Sequence, residues 1–260
     1  MAYFTATGPD AFTPTEHVGG AWEVSEQHIA PALGLLVRAV EADRDARRDD
    51  GLVLGRCSFD ILGTVPMAEV TVAVRVLRPG RTIELVEASL AHAGRDVVVL
   101  RAWLTRPADT AAWAGGALPP LPGLAETEPF DGTGTWPGGF IRSVEIRRRL
   151  LTQGRAQCWV RSHHDLVADR ATGPVAATLG LVDVANGLAT REPPGTLAYP
   201  NLDLTAHLFG PTPAAREWVG FDTTVTFGAG GVGLTSTVLH GADGPFGTVA
   251  QVLTLRPVGG

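Results

Sequence analysis

The sequence predicts an α+β fold assembled from two copies of one unit, a long helix with antiparallel strands around it. Two apolar helical segments, 28–44 and 174–190, are each followed by strand-like sequence. Between them, residues 107–139 carry Pro and Gly with neither a helical nor a strand period. Short stretches then recur in the same order on both sides of that break. At 260 residues, 45% hydrophobic and 18% charged, the chain can fill a substantial core. The boundaries expected are 1–107 for the first unit, 108–138 for a linker and 139–260 for the second unit.

Taken in order, the chain opens with turn-rich sequence. HIAPALGLLVRAVEADR (28–44) then reads as a helix, with Pro31 near its start and charge at its end. EVTVAVRVL (69–77) alternates most clearly, with Val70, Val72, Val74 and Val76 on one face. Further strands are expected at 53–62, 82–92 and 95–105, separated by Pro-Gly and Ala-Gly-Arg turns. The linker is expected over the surface, pinned by Trp113 and Trp136. After it come strands at 140–150 and 156–163, the helix at 174–190 capped by Thr172 with Pro174 in its first turn, and strands at 199–209, 217–227, 231–240 and 247–256.

Three local alignments anchor the repeat. ALGLLVRAV (32–40) lies against TLGLVDVAN (178–186), SFDIL (58–62) against NLDLT (201–205), and RAWLTRP (101–107) against QVLTLRP (251–257). They set Asp183 against Val37, Asn201 against Ser58 and Gln251 against Arg101. The 174–190 helix has no polar stripe, so it belongs in a core. A carboxylate there costs several kcal/mol unless it is partnered, neutral or held for chemistry. Because the other copy folds with Val37 in that place, Asp183 points to function.

The formal charge of −6 argues against non-specific binding to nucleic acid. No eighteen-residue apolar run predicts a membrane span, and the N-terminus lacks signal-peptide character, so a cytoplasmic setting is expected. Cys57 and Cys158 read as buried structural thiols rather than a disulfide framework or nucleophiles. GAGGVG (228–233) fits G-x-G-x-x-G, but strand-like LTSTVL follows where a phosphate-binding helix is needed, so it reads as a hairpin turn. His163 and His164 are adjacent on a strand and point to opposite faces, which argues against a metal site. Arg142, Arg147, Arg148, Arg149, Arg155 and Arg161 read as a charged edge strand; a phosphate clamp is the other reading. His28 sits at a helix entrance, as a structural residue or as lining for a substrate channel.

These segments together resemble the double hot-dog acyl-CoA thioesterases, the type II or medium-chain family. The resemblance is carried by Gly-Gly-x-Trp (19–22), QHIAPALGLLVRAVE (27–41), VRVLRPGRTIELVEASL (74–90), LVDVANG (181–187), NLDLTAHLFGPTPAAREWVGF (201–221) and GTVAQVLTLRP (247–257). It implies two tandem hot-dogs, each a long central helix wrapped by a curved antiparallel sheet. It also implies hydrolysis of acyl-CoA to free acid and CoA without metal or redox cofactor. The family's water-holding aspartate and glutamine match Asp183 and Gln251. Its serine or threonine falls at Asn201, whose amide can hold a water but cannot relay a proton. Thr205, four residues along the strand, is too far to replace it. Where relatives carry His-Gly-Gly, this chain has His28-Ile29-Ala30-Pro31.

An acyl-CoA or other acyl thioester is the partner implied, and further association of copies is consistent with the fold. The alternative is a non-hydrolytic acyl-thioester binder or scaffold of the same fold, for which Asn201 and the HIAP segment speak. A hot-dog hydratase is disfavoured because the 174–190 helix has no histidine.

Overall fold

The computed structural model describes residues 1–20 and 22–259. Two short strands come first, β1 (Ala2–Ala6) and β2 (Ala11–Pro14), where turn-rich sequence gave no strand period. The helix α1 (Ile29–Arg47) follows. His28 caps it, its Nδ1 accepting from the Ala30 N–H at 3.2 Å, and Arg44 and Arg47 lie in its last turn, where cations oppose the helix dipole. Its residues from Ala30 to Val37 are all buried, so the helix runs through the core rather than over it.

The strands β3 (Val53–Ile61), β4 (Val70–Arg78), β5 (Ile83–His92) and β6 (Arg95–Thr105) fall within two residues of the sequence expectation. After the linker come β7 (Glu128–Pro129), the short helix α2 (Gly139–Arg142), β8 (Val144–Thr152), β9 (Arg155–Ser162) and β10 (Asp165–Val167). The second helical segment is not one long helix. It divides into α3 (Pro174–Leu179), a 3₁₀ turn at Val182–Val184 and α4 (Ala185–Leu188). Gly180 and Gly187 are poor helix formers, and β-branched Val182 and Val184 resist a continuous α-helix. Gly173, not Thr172, stands at the N-cap.

The chain ends with β11 (Leu197–Ala198), β12 (Asp203–Leu208), β13 (Val219–Phe227), β14 (Val232–Gly241), β15 (Gly244–Thr254) and β16 (Arg256–Pro257). GAGGVG is the β13–β14 hairpin turn, with Gly228 N–H donating to the Val232 carbonyl and Gly231 at φ 83°.

Fourteen strands form one continuous sheet in the order β10-β1-β2-β4-β5-β6-β3-β12-β15-β14-β13-β9-β8-β7, rather than two separate ones. Only β1–β10 is parallel. β10 follows β9 almost directly in the chain yet pairs near the opposite end of this order, so the sheet curls far round the helices.

At its centre β3 pairs antiparallel with β12, with Asp60 opposite Asp203. The repeat made these two aspartates equivalent, so a pseudo-two-fold axis passes between them. That axis also brings equivalent glycines together. A Cβ on Gly34 would lie 2.8 Å from the Ala176 carbonyl oxygen and 2.9 Å from Gly180 Cα.

The linker is more than a surface strap. Trp136 is buried and donates to the Gly187 carbonyl at 3.2 Å, while Trp159 donates to the Pro122 carbonyl at 2.8 Å. Trp113, by contrast, is 81% exposed and pins nothing. Among the described residues, no helix is long and apolar enough to cross a membrane.

Gly34→Val should destabilise the protein by about 1–3 kcal/mol through overpacking. Thermal unfolding will show this as a melting temperature several degrees lower. Gly195→Ala, where a new Cβ meets nothing, should leave it unchanged.

Candidate active site

The crossing of α1 and α3 sets Asp183 beside His28. Asp183 lies in the 3₁₀ turn and is buried. Asn201 Nδ2 and Gln251 Nε2 both donate to its Oδ1, at 2.8 and 2.9 Å. Three segments distant in sequence therefore meet on one carboxylate oxygen. Burial pushes the Asp183 carboxyl up to about 7, with the two amide donors pulling weakly the other way.

His28 Nδ1 stands 3.7 Å from Asp183 Oδ2. This is no ion pair. Burial pulls His28 down to about 3, and its Nδ1 already accepts from Ala30, so the ring is neutral with its proton on Nε2. Phe140 packs 4.3 Å from the ring, centroid to centroid. His28 is thus a helix cap and part of the site wall at once.

A cavity of about 350 Å³ opens beside this group. Ile61, Val65, Phe130, Ile141, Ile146, Val184 and Leu188 make its wall largely apolar, and Gln27, His28, Asp183, Asn186 and Asn201 supply the polar points. A small set of polar groups in an apolar pocket is the usual composition of a ligand site. Trp22, Trp136 and Tyr199 pack edge to face nearby, with Trp22 and Trp136 centroids 4.9 Å apart. Phe130, Asn186, Gln27 and Arg256 did not stand out in the sequence, because no local pattern marks which residues of loops and short elements face a cavity.

Thr205 stays outside the site. Its hydroxyl bonds Ser58 Oγ at 2.8 Å, on the adjoining strand. The repeat also needs one correction of register. Extending the β12–β15 register one residue beyond Thr205–Ala250 sets Gln251 against Leu204, the axis makes Leu204 equivalent to Ile61, and Ile61 pairs with Val98. Val98, not Arg101, therefore occupies the position of Gln251. Arg101 instead pairs with Glu87 at 3.0 Å. The first copy carries Val37, Ser58 and Val98 where the second carries Asp183, Asn201 and Gln251.

The other candidates have structural uses. Arg147 donates to the Leu124 and Thr127 carbonyls, Arg148 stacks on Phe130 at 3.5 Å, Arg155 pairs with Asp222, and Arg161 pairs with Glu145 at 2.8 Å. Four of the six clustered arginines thus fasten the linker and sheet edge. Burial pushes both Cys57 and Cys158 up to about 12, which leaves them inert thiols. His163 bonds Glu145 at 2.7 Å, while His164 packs edge-on against His17.

Family models match in two blocks, the acyl-CoA thioesterase N-terminal domain over residues 19–106 and the acyl-CoA thioesterase C-terminal domain over residues 117–255. The chain belongs to the acyl-CoA thioesterase family. It is a thioester hydrolase of double hot-dog fold. Solved structures agree on the architecture. A candidate thioesterase from Novosphingobium aromaticivorans superposes with a TM-score of 0.74 at 18% identity, covering 98% of this chain and 99% of that one. A hot-dog protein of unknown function from Alicyclobacillus acidocaldarius gives 0.75 at 11%, over 96% and 95%. Acyl-CoA thioesterase II TesB2 from Mycobacterium marinum gives 0.67 at 15%, over 98% and 96%. At such identities these likenesses speak to the fold. No curated protein sequence matches this thioesterase significantly.

Asp183 makes stability depend on pH. Its carboxyl stands near 4 in the unfolded chain and about 7 in the folded one, so the folded state holds more protons between those values. Stability should fall as pH rises from 4 to 7 and stay lower above. Asp183→Asn removes this loss, and its melting temperature should exceed wild type by a few degrees at pH 8 but not at pH 4.5. Paired melting curves at the two pH values check it.

Proposed function

We propose that this thioesterase hydrolyses fatty acyl-CoA with Asp183 as general base, held in place by Asn201 and Gln251. The observation that supports this most is that both amides donate to Oδ1. Oδ2 is thereby left as the atom with lone pairs for a water. A carboxylate of pKa about 7 suits a base at neutral pH, half ionised and a strong enough acceptor to matter.

Water attacks the thioester carbonyl as Asp183 Oδ2 takes its proton. The tetrahedral oxyanion then collapses, the C–S bond breaks, and Asp183 returns the proton to the departing thiolate. The products are the free acid and CoA, and the carboxylate is regenerated. In the first turn of α1 the Ala30 N–H is taken by His28 and Pro31 has none, which leaves the N–H of Ile29, a cavity-lining residue, as the nearest oxyanion donor. His28 stays neutral throughout, so it positions and packs rather than transferring protons. The apolar cavity wall takes the acyl chain. Asn201 needs no hydroxyl for this scheme, because its task is to donate to Asp183, which an amide does as well as a serine or threonine.

With free-thiol release as the assay, Asp183→Asn should lower kcat by about 10²-fold or more. Equal activity in the two proteins removes Asp183 from the mechanism. The kcat/KM of wild type should rise with pH through about 7 and then level off. Asn201→Ala removes a donor that favours the ionised carboxylate, so its pH profile should shift to higher pH; an unshifted profile contradicts the proposed role of Asn201.

A further inference from the structure

The chain has no lysine, so its 21 basic side chains are all arginines. Of these, Arg256 alone lines the cavity beside Asp183. It is exposed, and among the described residues its guanidinium makes no ion pair or side-chain hydrogen bond. Other arginines are committed: Arg47 and Arg48 to Glu84, Arg75 and Arg101 to Glu87, Arg155 to Asp222. The backbone around Arg256 is nonetheless fixed. Arg256 pairs with Ala198, and the Val258 N–H donates to the Thr196 carbonyl at 3.1 Å. A cation presented on a fixed strand at a cavity mouth is pre-organised for an anion. Besides Asp183, the acidic residues of the same lining, Glu23 and Glu26, disfavour that anion on their side.

Chain geometry supplies a ruler. Gln251 touches Asp183, and five residues of nearly continuous strand lead from it to Arg256. Five extended residues span at most about 17 Å. The pantetheine arm of a thioester has about thirteen bonds in single file from sulfur to the first phosphorus. At three bonds per 3.3–3.6 Å, the spacing of an extended peptide, it reaches about 15 Å. The arm is therefore long enough to reach from a thioester at Asp183 to the guanidinium of Arg256.

We propose that Arg256 binds the phosphate that ends the pantetheine arm, and so makes this thioesterase select phosphopantetheine thioesters over thioesters lacking that group. The proposal rests on Asp183 marking where the thioester sits. A guanidinium offers two parallel N–H donors to phosphate oxygens, which gives orientation as well as affinity.

The test compares wild type and Arg256→Ala on decanoyl-pantetheine, decanoyl-4′-phosphopantetheine and decanoyl-CoA, with Arg81→Ala, an exposed arginine in the β4–β5 turn outside the cavity lining, as the control. Arg256→Ala should lower kcat/KM about 10–30-fold on the two phosphorylated substrates, mostly through KM, and less than twofold on decanoyl-pantetheine. The control should change none of the ratios. A loss confined to decanoyl-CoA overturns the proposal by putting Arg256 at the nucleotide. So does an equal loss on all three, which is a structural effect, or no loss on any. CoA and acyl carrier protein both carry this phosphate, so decanoyl carrier protein is a fourth substrate. The carrier with the higher kcat/KM is the source, and Arg256→Ala must lower that value. If wild type turns over none of these, the hydrolytic reading fails by itself, and calorimetric titration with free 4′-phosphopantetheine and pantetheine still decides Arg256. Tighter binding of 4′-phosphopantetheine than of pantetheine, lost in Arg256→Ala, supports the role; unchanged affinities overturn it.

Discussion

Everything in the site depends on how closely α1 and α3 cross. At Gly34 and Gly180 the two backbones touch with no side chain between them. That contact lies six residues after His28 and three before Asp183, so it draws the start of one helix and the broken turn of the other together. A side chain at Gly34 has no room against the Ala176 carbonyl and Gly180, so a larger residue there forces the helices apart. Because the two glycines are equivalents in the repeat, one local sequence feature, read twice, makes the contact.

The two halves then diverge around a shared frame. Near the axis, Asp60 and Asp203 still face each other. Away from it, the first copy is apolar where the second is not: Val37 and Val98 against Asp183 and Gln251. Buried Thr223, Thr235 and Thr237 add further polarity to the second copy, with the Thr223 and Thr237 hydroxyls 3.0 Å apart. A buried carboxylate with a raised pKa is costly to stability, and a functional site is where such a cost is usually retained. The first copy contributes the cap residue His28 and a share of the cavity wall.

The repeat, the helix at 28–44 and ten of the strands were legible because binary patterning is local. Val70, Val72, Val74 and Val76 declare a strand without reference to anything else. Asp183 was legible for a related reason, as a charge in an apolar run with a valine in its duplicate. Asn201 and Gln251 are ordinary polar residues in ordinary strands, and only resemblance singled them out. β1, β2, β7, β10, β11 and β16 were missed because short strands carry too few residues to establish a period, and β10 gains its partner only from the far end of the chain.

What the sequence by itself determined is the unit, its duplication and the chemical type of the central group, since periodicity and composition act over a few residues. What only the tertiary structure decided is how that group is held. Three segments converge on one carboxylate oxygen, the second helix breaks at Gly180, and Val98 rather than Arg101 stands opposite Gln251 in the repeat. Each of these rests on strand register and on the close approach of two helices. Such contacts join residues tens to hundreds of positions apart, and their energy has no signature in any single stretch of chain.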